Sequence, residues 1–313
     1  EKKFIAMLVC VALMGCIFVS AQDICKTVAN VPMVQLNNGV LMPQFGLGTF
    51  MQSSGLCEQS CLTALKIGID ISILLMHNDE AGVGRAVKES GISREKIWIT
   101  SKLWPTEYGE SKTLEAKKDI GTHAIGFVHQ PAGDFVGAWR DMGKVRALGI
   151  SNFDANDEAF EKIMIESRVK PAVLQIECHS YAQRLAIRDK VKPYGIHITC
   201  WFLLGGAMSN GALFSLYPIN SQGTCKSPVQ IILRWHIQGD FSVIPGASNL
   251  DYIKENIAIF DFELNNKKME QMCSLNKEKR FFNATQEEVE KMVWNTDIRT
   301  EWIEDIGRRS GLH

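Results

Sequence analysis

Several polar side chains that could carry proton chemistry stand at the ends of short apolar runs. Lysine and histidine exchange protons near neutral pH when their surroundings shift their pKa, and amide or hydroxyl groups orient a polar ligand. An aromatic ring adds a stacking platform. The residues at these positions are Thr49, His77, Lys102, His129, Ser151, Asn152, Gln175, Glu177, Trp201 and Gly246.

The apolar runs have the character of strands in a buried parallel sheet, because both of their faces are apolar. The predicted strands cover 45–50, 70–76, 97–102, 124–129, 145–151, 173–177, 197–203 and 241–245. The predicted amphipathic helices cover 57–67, 80–90, 115–120, 133–142, 157–167, 185–192, 228–238 and 251–256. Eight alternating units in 313 residues predict one (β/α)8 TIM barrel domain, over 22–313. A doubly wound open sheet is the alternative, but no Gly-x-Gly-x-x-Gly follows the first strand.

Two segments precede the predicted barrel. Residues 1–21 combine two lysines, an apolar run and small residues before Gln22, which predicts a secretory signal peptide cleaved after Ala21. An uncleaved membrane anchor or a lipoprotein signal at Cys16 are the alternatives. Asn38-Gly39 between apolar residues then predicts a β-hairpin.

Composition limits the classes of function. Hydrophobic residues make up 46% and charged residues 22%, as in globular proteins, and the net charge of −1 argues against nucleic acid as a partner. The nine cysteines include no Cys-x-x-Cys pair, so the sequence predicts no metal site and mostly buried free thiols.

Longer motifs identify a family resemblance. They include Leu36–Gly39, Gly46–Thr49, Gly82–Ala86, Ile99–Trp104, His129–Pro131, Gly143–Phe153, Leu174–Glu177, Ile231–Trp235 and Ile244–Gly246. With these motifs, the chain from about Val34 to about Arg280 resembles the aldo-keto reductase superfamily, most closely its bacterial diketogluconate-reductase-type members.

The resemblance implies a barrel that binds NADPH across its strand ends and reduces an aldehyde or ketone to an alcohol. Ser151, Asn152 and Gln175 would hold the nicotinamide carboxamide, and Trp201 would stack on the ring where the family usually has tyrosine. Three further positions complete the implied cofactor site, namely Gly246 near the phosphates and Glu255 and Asn256 near the adenine.

The resemblance also implies a catalytic tetrad of aspartate, tyrosine, lysine and histidine. Lys102 and His129 match the last two. Ser72 stands at the aspartate position and His77 at the tyrosine position, so His77 is the tentative proton donor. The cations that clamp the ribose 2′-phosphate in the family are also unmatched, which leaves NADH as an alternative cofactor.

These departures leave three hypotheses: a working carbonyl reductase, a catalytically silent nucleotide-binding or interaction protein on the same scaffold, and a destabilised variant of an enzyme. The first implies a small-molecule carbonyl substrate and, from the family, a monomer. The signal-like segment predicts export to the periplasm or beyond, without a membrane anchor after cleavage, whereas the resemblance alone predicts a cytoplasmic protein.

Overall fold

A computed structural model describes residues 31–49, 52–69, 73–75, 80–108, 124–141, 145–205 and 226–295. The predicted signal peptide, the predicted helix 115–120 and the tentative tetrad positions Ser72 and His77 lie outside these residues. No helix in the described segments is both long and apolar enough to cross a membrane.

The strands run in chain order through one parallel sheet. After a small antiparallel pair, β1 (Met33–Gln35) and β2 (Leu41–Pro43), seven strands pair with their sequence neighbours. They are β3 (Ile73–Leu75), β4 (Ile99–Leu103), β5 (Ala124–Val128), β6 (Ala147–Ser151), β7 (Val173–Glu177), β8 (His197–Trp201) and β9 (Ser242–Val243). The predicted parallel sheet is confirmed, and sequential parallel pairing is the topology of a (β/α)8 barrel.

Residues 45–48 of the first predicted strand, 45–50, do not form a continuous strand but make a seam of isolated bridges with β9 and the residues that follow it. Phe45 pairs in parallel with Val243, and Gly48 pairs with Gly246. Pro245 lies between these two bridges, and because proline has no N–H to donate, it interrupts the ladder. A Cβ on Gly48 would lie 2.8 Å from the Ile244 carbonyl oxygen, so this seam needs glycine for its close backbone approach.

Helices connect and cover the strands. They are α1 (Ser54–Lys66), α2 (Glu80–Ser90), α3 (Phe135–Asp141), α4 (Asp157–Glu166), α5 (Leu185–Val191), α6 (Pro228–Gln238), α7 (Leu250–Ile257), α8 (Asn266–Cys273) and α9 (Gln286–Trp294). The predicted start of α6 is confirmed, since Ser227 and Gln230 form a capping box around Pro228 at the first turn. The sequence did not predict α8.

The main core lies between the outer face of the sheet and these helices. Ile150 of β6 and Ile176 of β7 belong to it, with Phe160 and Ile163 of α4. Each of these side chains is fully buried, and burial of one such side chain stabilises the fold by roughly 1.5–3 kcal/mol. The outward-facing residues therefore hold the barrel together, which leaves the inward-facing residues to form a site.

Candidate active site

A small interior cavity identifies which side chains point into the barrel. Thr100, Phe127, Gln175, Thr199 and Ser242 line it from five different strands, next to Met42 and Pro43 of the hairpin and Val243 and Ile244. Side chains along a strand alternate between faces, so residues two positions further along point inward too. That rule places Lys102, Glu177 and Trp201 on the inner face, at the carboxyl ends of their strands.

Lys102 is the basic side chain at this end of the barrel whose pKa is shifted by burial. It lies on β4, half-buried, in register with Phe127 of β5. Burial lowers the pKa of its ammonium group from an ordinary 10.5 to about 7. Among the described residues, no carboxylate forms an ion pair with it that would hold the pKa up. Lys102 can therefore exchange a proton near neutral pH.

His129 follows β5 directly and is buried beside Lys102's strand. Its backbone N–H donates to the Leu103 carbonyl oxygen at 3.2 Å, which continues the β4–β5 ladder past the end of β5. Its ring lies against Trp104, with a centroid separation of 5.1 Å. The structure thus brings the two matched tetrad positions, Lys102 and His129, to the ends of neighbouring strands.

Ser151 and Gln175 present buried polar atoms at the same end. They are register partners on β6 and β7, and both side chains are buried. Within the described part of the chain, Ser151 Oγ and Gln175 Oε1 form no hydrogen bond. Unpaired buried polar atoms cost free energy, so two of them side by side indicate a place where a ligand supplies the partners. A carboxamide, which both donates and accepts, fits this pair.

Asn152 stands next to this pair in a left-handed conformation, with a φ of 63°. Its backbone N–H donates to the Gln175 carbonyl oxygen at 3.1 Å, and its side-chain Oδ1 accepts from Trp201 Nε1 at 3.2 Å. Asparagine tolerates this conformation better than most residues. Because this contact engages Oδ1, the Asn152 Nδ2 group is the part of the side-chain amide that can donate to a ligand.

An aromatic cluster, consisting of Trp201, Phe202, Phe281 and Phe282, surrounds the predicted stacking residue. The Trp201 and Phe282 ring centroids lie 4.8 Å apart at 61°, and those of Phe202 and Phe282 lie 4.8 Å apart at 88°. The sequence does not predict this cluster, because Phe281 and Phe282 lie about 80 positions after Trp201 in the chain and no motif links them to it. The signal in the sequence that could have identified them is the pair of adjacent aromatic residues directly after Arg280.

A buried carboxylate attaches that C-terminal segment to the barrel. Glu177 accepts from the backbone N–H groups of Phe281 at 2.6 Å and Phe282 at 3.2 Å, from His179 Nε2 at 3.1 Å and from Arg280 Nε at 3.3 Å. Burial alone would raise the pKa of Glu177, but the hydrogen bonds from His179 and Phe281 outweigh it and lower the pKa. Glu177 therefore fixes the two phenylalanines next to Trp201.

The predicted phosphate position, Gly246, lies at the seam with residues 45–48, and the predicted adenine positions lie on α7. Gly246 pairs with Gly48, while Asn256 is buried on α7 and Glu255 is half-buried beside it. Glu255 accepts at its backbone oxygen from Gln230 Nε2. Within 246–256, the one cationic side chain is Lys254, which is 48% exposed and lies 3.9 Å from Asp251.

Comparisons with known proteins agree with this architecture. The model of the aldo/keto reductase family matches residues 129–277. Glyoxal reductase from Bacillus subtilis is 34% identical over 264 residues, which cover 79% of this chain and 94% of that protein. An aldo/keto reductase from Brucella melitensis superposes with a TM-score of 0.71 at 34% identity, covering 79% of this chain and 100% of that one. A Bombyx mori aldo-keto reductase in complex with NADP has a TM-score of 0.70 at 24% identity, covering 81% and 95%. The chain belongs to the aldo/keto reductase family.

Proposed function

We propose that this protein is an NAD(P)H-dependent oxidoreductase that reduces an aldehyde or ketone to an alcohol. One observation carries the proposal: Ser151 Oγ and Gln175 Oε1 lie unpaired on adjacent strands, at the same barrel end as Lys102 and His129. A nicotinamide carboxamide supplies the donors and acceptor that this pair needs. The bacterial diketogluconate-reductase-type subgroup remains the finer prediction within the family.

The bound cofactor would supply hydride to the carbonyl carbon. The protein's own residues would hold and protonate the substrate. Ser151, Gln175 and Asn152 Nδ2 would orient the carboxamide, and Trp201 would pack against the ring from the aromatic cluster. Gly246, Glu255 and Asn256 would hold the nucleotide end.

Lys102 would move the proton. Its pKa of about 7 leaves a substantial ammonium fraction at neutral pH, and the ammonium can protonate an oxygen that gains negative charge. His129 would hydrogen-bond the substrate oxygen and orient it towards Lys102. His77 as the proton donor in place of Lys102, and Ser72 at the aspartate position, remain predictions, because both residues lie outside the described part of the chain.

Glyoxal is the first substrate to try, since the glyoxal reductase relative is named for it. Purified protein is titrated with NADPH and with NADH while tryptophan fluorescence is followed, and NADPH oxidation is then measured with glyoxal and with a ketone. We expect saturable quenching, and turnover that falls about 10²–10⁴-fold in Lys102→Met. Binding without turnover would favour the catalytically silent hypothesis, and a folded protein that binds neither nucleotide would contradict the proposal.

The proposal also includes the two predictions that the protein is exported after signal cleavage and that it is a monomer. Export after cleavage behind Ala21 is tested by the mass and cell fraction of the mature chain, and the monomer by light scattering.

A further inference from the structure

Two thiols and an imidazole converge on the outer side of the barrel, away from the row of residues proposed for carbonyl reduction. Cys178 follows β7, Cys200 lies on β8 and His236 lies on α6. Their sulfur atoms and one ring nitrogen all lie within 4.8 Å of one another, and all three side chains are fully buried. Both cysteines are free thiols.

The two hydrogen-bonding contacts of the His236 ring indicate that this cluster has room for a cation. Nδ1 donates to the Ile232 carbonyl oxygen at 2.8 Å, while Nε2 lies 3.3 Å from the Cys178 carbonyl oxygen. A carbonyl can only accept, and a neutral imidazole has a single N–H. With that N–H on Nδ1, the Nε2 lone pair faces the lone pairs of the Cys178 oxygen, and a cation between them would satisfy both.

The ring orientation is the one that metal-binding histidines have. A histidine that binds a metal through one nitrogen usually donates its other N–H to a carbonyl or carboxylate, which fixes the tautomer. The bond from Nδ1 to Ile232 does this and leaves Nε2 as the ligand atom.

The sulfur atoms favour the same ligand chemistry. The cluster offers two cysteine sulfur atoms and one imidazole nitrogen, the ligand atoms that Zn²⁺ prefers in structural sites, and metals bind cysteine as the thiolate. Two thiolates and a neutral imidazole around a divalent ion carry no net charge, which suits a buried site better than a monovalent ion would.

We propose that Cys178, Cys200 and His236 form a buried binding site for a thiophilic divalent cation, with Zn²⁺ as the ion that fits its two sulfurs, one nitrogen and absence of net charge. The Cys178 carbonyl oxygen, beside Nε2, is placed to serve as a fourth ligand. The site ties β7 and β8 to α6 and acts in stability, independently of the proposed reductase activity. No Cys-x-x-Cys motif predicts this site, because its three ligands come from separate structural elements.

A second thiol pair in the protein provides a matched control. Cys57 and Cys61 on α1 are also buried, with their sulfur atoms 3.8 Å apart, and they belong to no such cluster with a histidine among the described residues. The pair therefore tests whether two close buried thiols are sufficient to hold the ion.

The experiment loads the ion during folding, since the site is buried. Full-length protein is produced in medium supplemented with Zn²⁺, desalted, and analysed for metal by mass spectrometry; a parallel preparation with Co²⁺ is examined for a thiolate-to-cobalt charge-transfer band. We expect one ion per chain and the band in the wild type and in Cys57→Ala/Cys61→Ala. We expect neither in Cys178→Ala/Cys200→Ala, and His236→Gln to lose most of the ion.

Circular dichroism shows which variants fold. If the double variant does not, Cys200→Ser, which keeps the volume of the side chain, is measured in its place and must also lose the ion. A wild-type protein that carries no zinc or cobalt would overturn the proposal. Equal loss of the ion in the Cys57→Ala/Cys61→Ala control would overturn it as well.

Discussion

Trp201 Nε1 donates a hydrogen bond to Asn152 Oδ1 at 3.2 Å, which joins two residues that the sequence assigns separately to the cofactor. The bond fixes the amide orientation of Asn152, with its Nδ2 group directed away from the indole. It also fixes one edge of the Trp201 ring, which contacts the rings of Phe202 and Phe282. A tyrosine at position 201 would carry its hydroxyl at the far end of its ring. Its donor would therefore not lie where Trp201 Nε1 meets Asn152 Oδ1.

The Trp201–Asn152 bond leads to a first prediction. Trp201→Phe keeps an aromatic ring but removes the donor, which leaves Asn152 Oδ1 without it. We expect NADPH to bind about 2–10-fold more weakly, the equivalent of one hydrogen bond of about 0.5–1.5 kcal/mol. Isothermal titration measures the affinity without relying on tryptophan fluorescence.

Trp98→Phe is the control for that change. Trp98 is buried in a separate cluster with Met42 and Phe127, near the hairpin, and Arg146 lies over its ring. We expect its NADPH affinity to match the wild type. Unchanged affinity in Trp201→Phe would show that the Asn152 contact does not prepare the cofactor site.

The attachment of the C-terminal segment leads to a second prediction. Arg280→Met removes the cation that bonds Glu177 and lies 3.8 Å from the buried Asp154, and leaves His179 and two backbone donors on Glu177. We expect the free energy of unfolding to fall by about 2 kcal/mol, within the range for hydrogen bonds to charged groups. Urea unfolding measures it. The exposed pair Lys291–Glu287 is the comparison, where Lys291→Met should cost under about 1 kcal/mol.

The fold follows closely from local sequence patterns, whereas the tertiary clusters do not. The bounds predicted for β7, α2 and α6 are confirmed. β7 is a short run that is buried on both faces, α2 ends just before Gly91, and α6 begins with the capping residues Ser227 and Pro228. The Glu177–Arg280 contact spans 103 positions and the Cys178–His236 contact spans 58. No local period encodes such pairs, and each partner taken alone resembles an ordinary surface cation or buried thiol.

The predicted site residues show the same division. Lys102 and Ser151 could be placed near strand ends because their apolar runs stop there, and Gln175 could be placed on the same face of β7 as Glu177 because side chains alternate along a strand. The hydrogen bond between Asn152 and Trp201 could not, because it depends on a left-handed backbone at Asn152 and on the approach of two strands that are not neighbours.

The phosphate end of the site leads to a third prediction. Tyr252 is 61% exposed on α7, and the resemblance to the family aligns it with an arginine that binds the 2′-phosphate; Lys254 lies near Asp251. We expect the wild type to distinguish NADPH from NADH only weakly. Tyr252→Arg should raise the preference for NADPH about tenfold, because guanidinium binds phosphate in a bidentate manner. The ratio of kcat/KM for the two cofactors checks this, and Tyr252→Gln, without the charge, should leave the ratio unchanged.

Lys102 leads to a fourth prediction, on the dependence of stability on pH. Its pKa is about 7 in the folded protein and 10.5 for an ordinary lysine, so between these values the unfolded chain binds a proton that the folded protein does not. Stability from this group therefore rises as the pH increases from about 7 towards 10.5, and is at its lowest below pH 7. Lys102→Met should remove the rise and be more stable than the wild type at pH 7.

Urea unfolding of both proteins at several pH values measures the difference. His197→Gln is the control. Burial lowers the pKa of His197 to about 4 from an ordinary 6.5, so the folded protein loses stability through this group as the pH falls from about 6.5 to about 4. That variant should change the profile between about pH 4 and 6.5 and leave the alkaline rise intact. Parallel profiles for Lys102→Met and the wild type would contradict the lowered pKa, and with it the assignment of Lys102 as the proton donor.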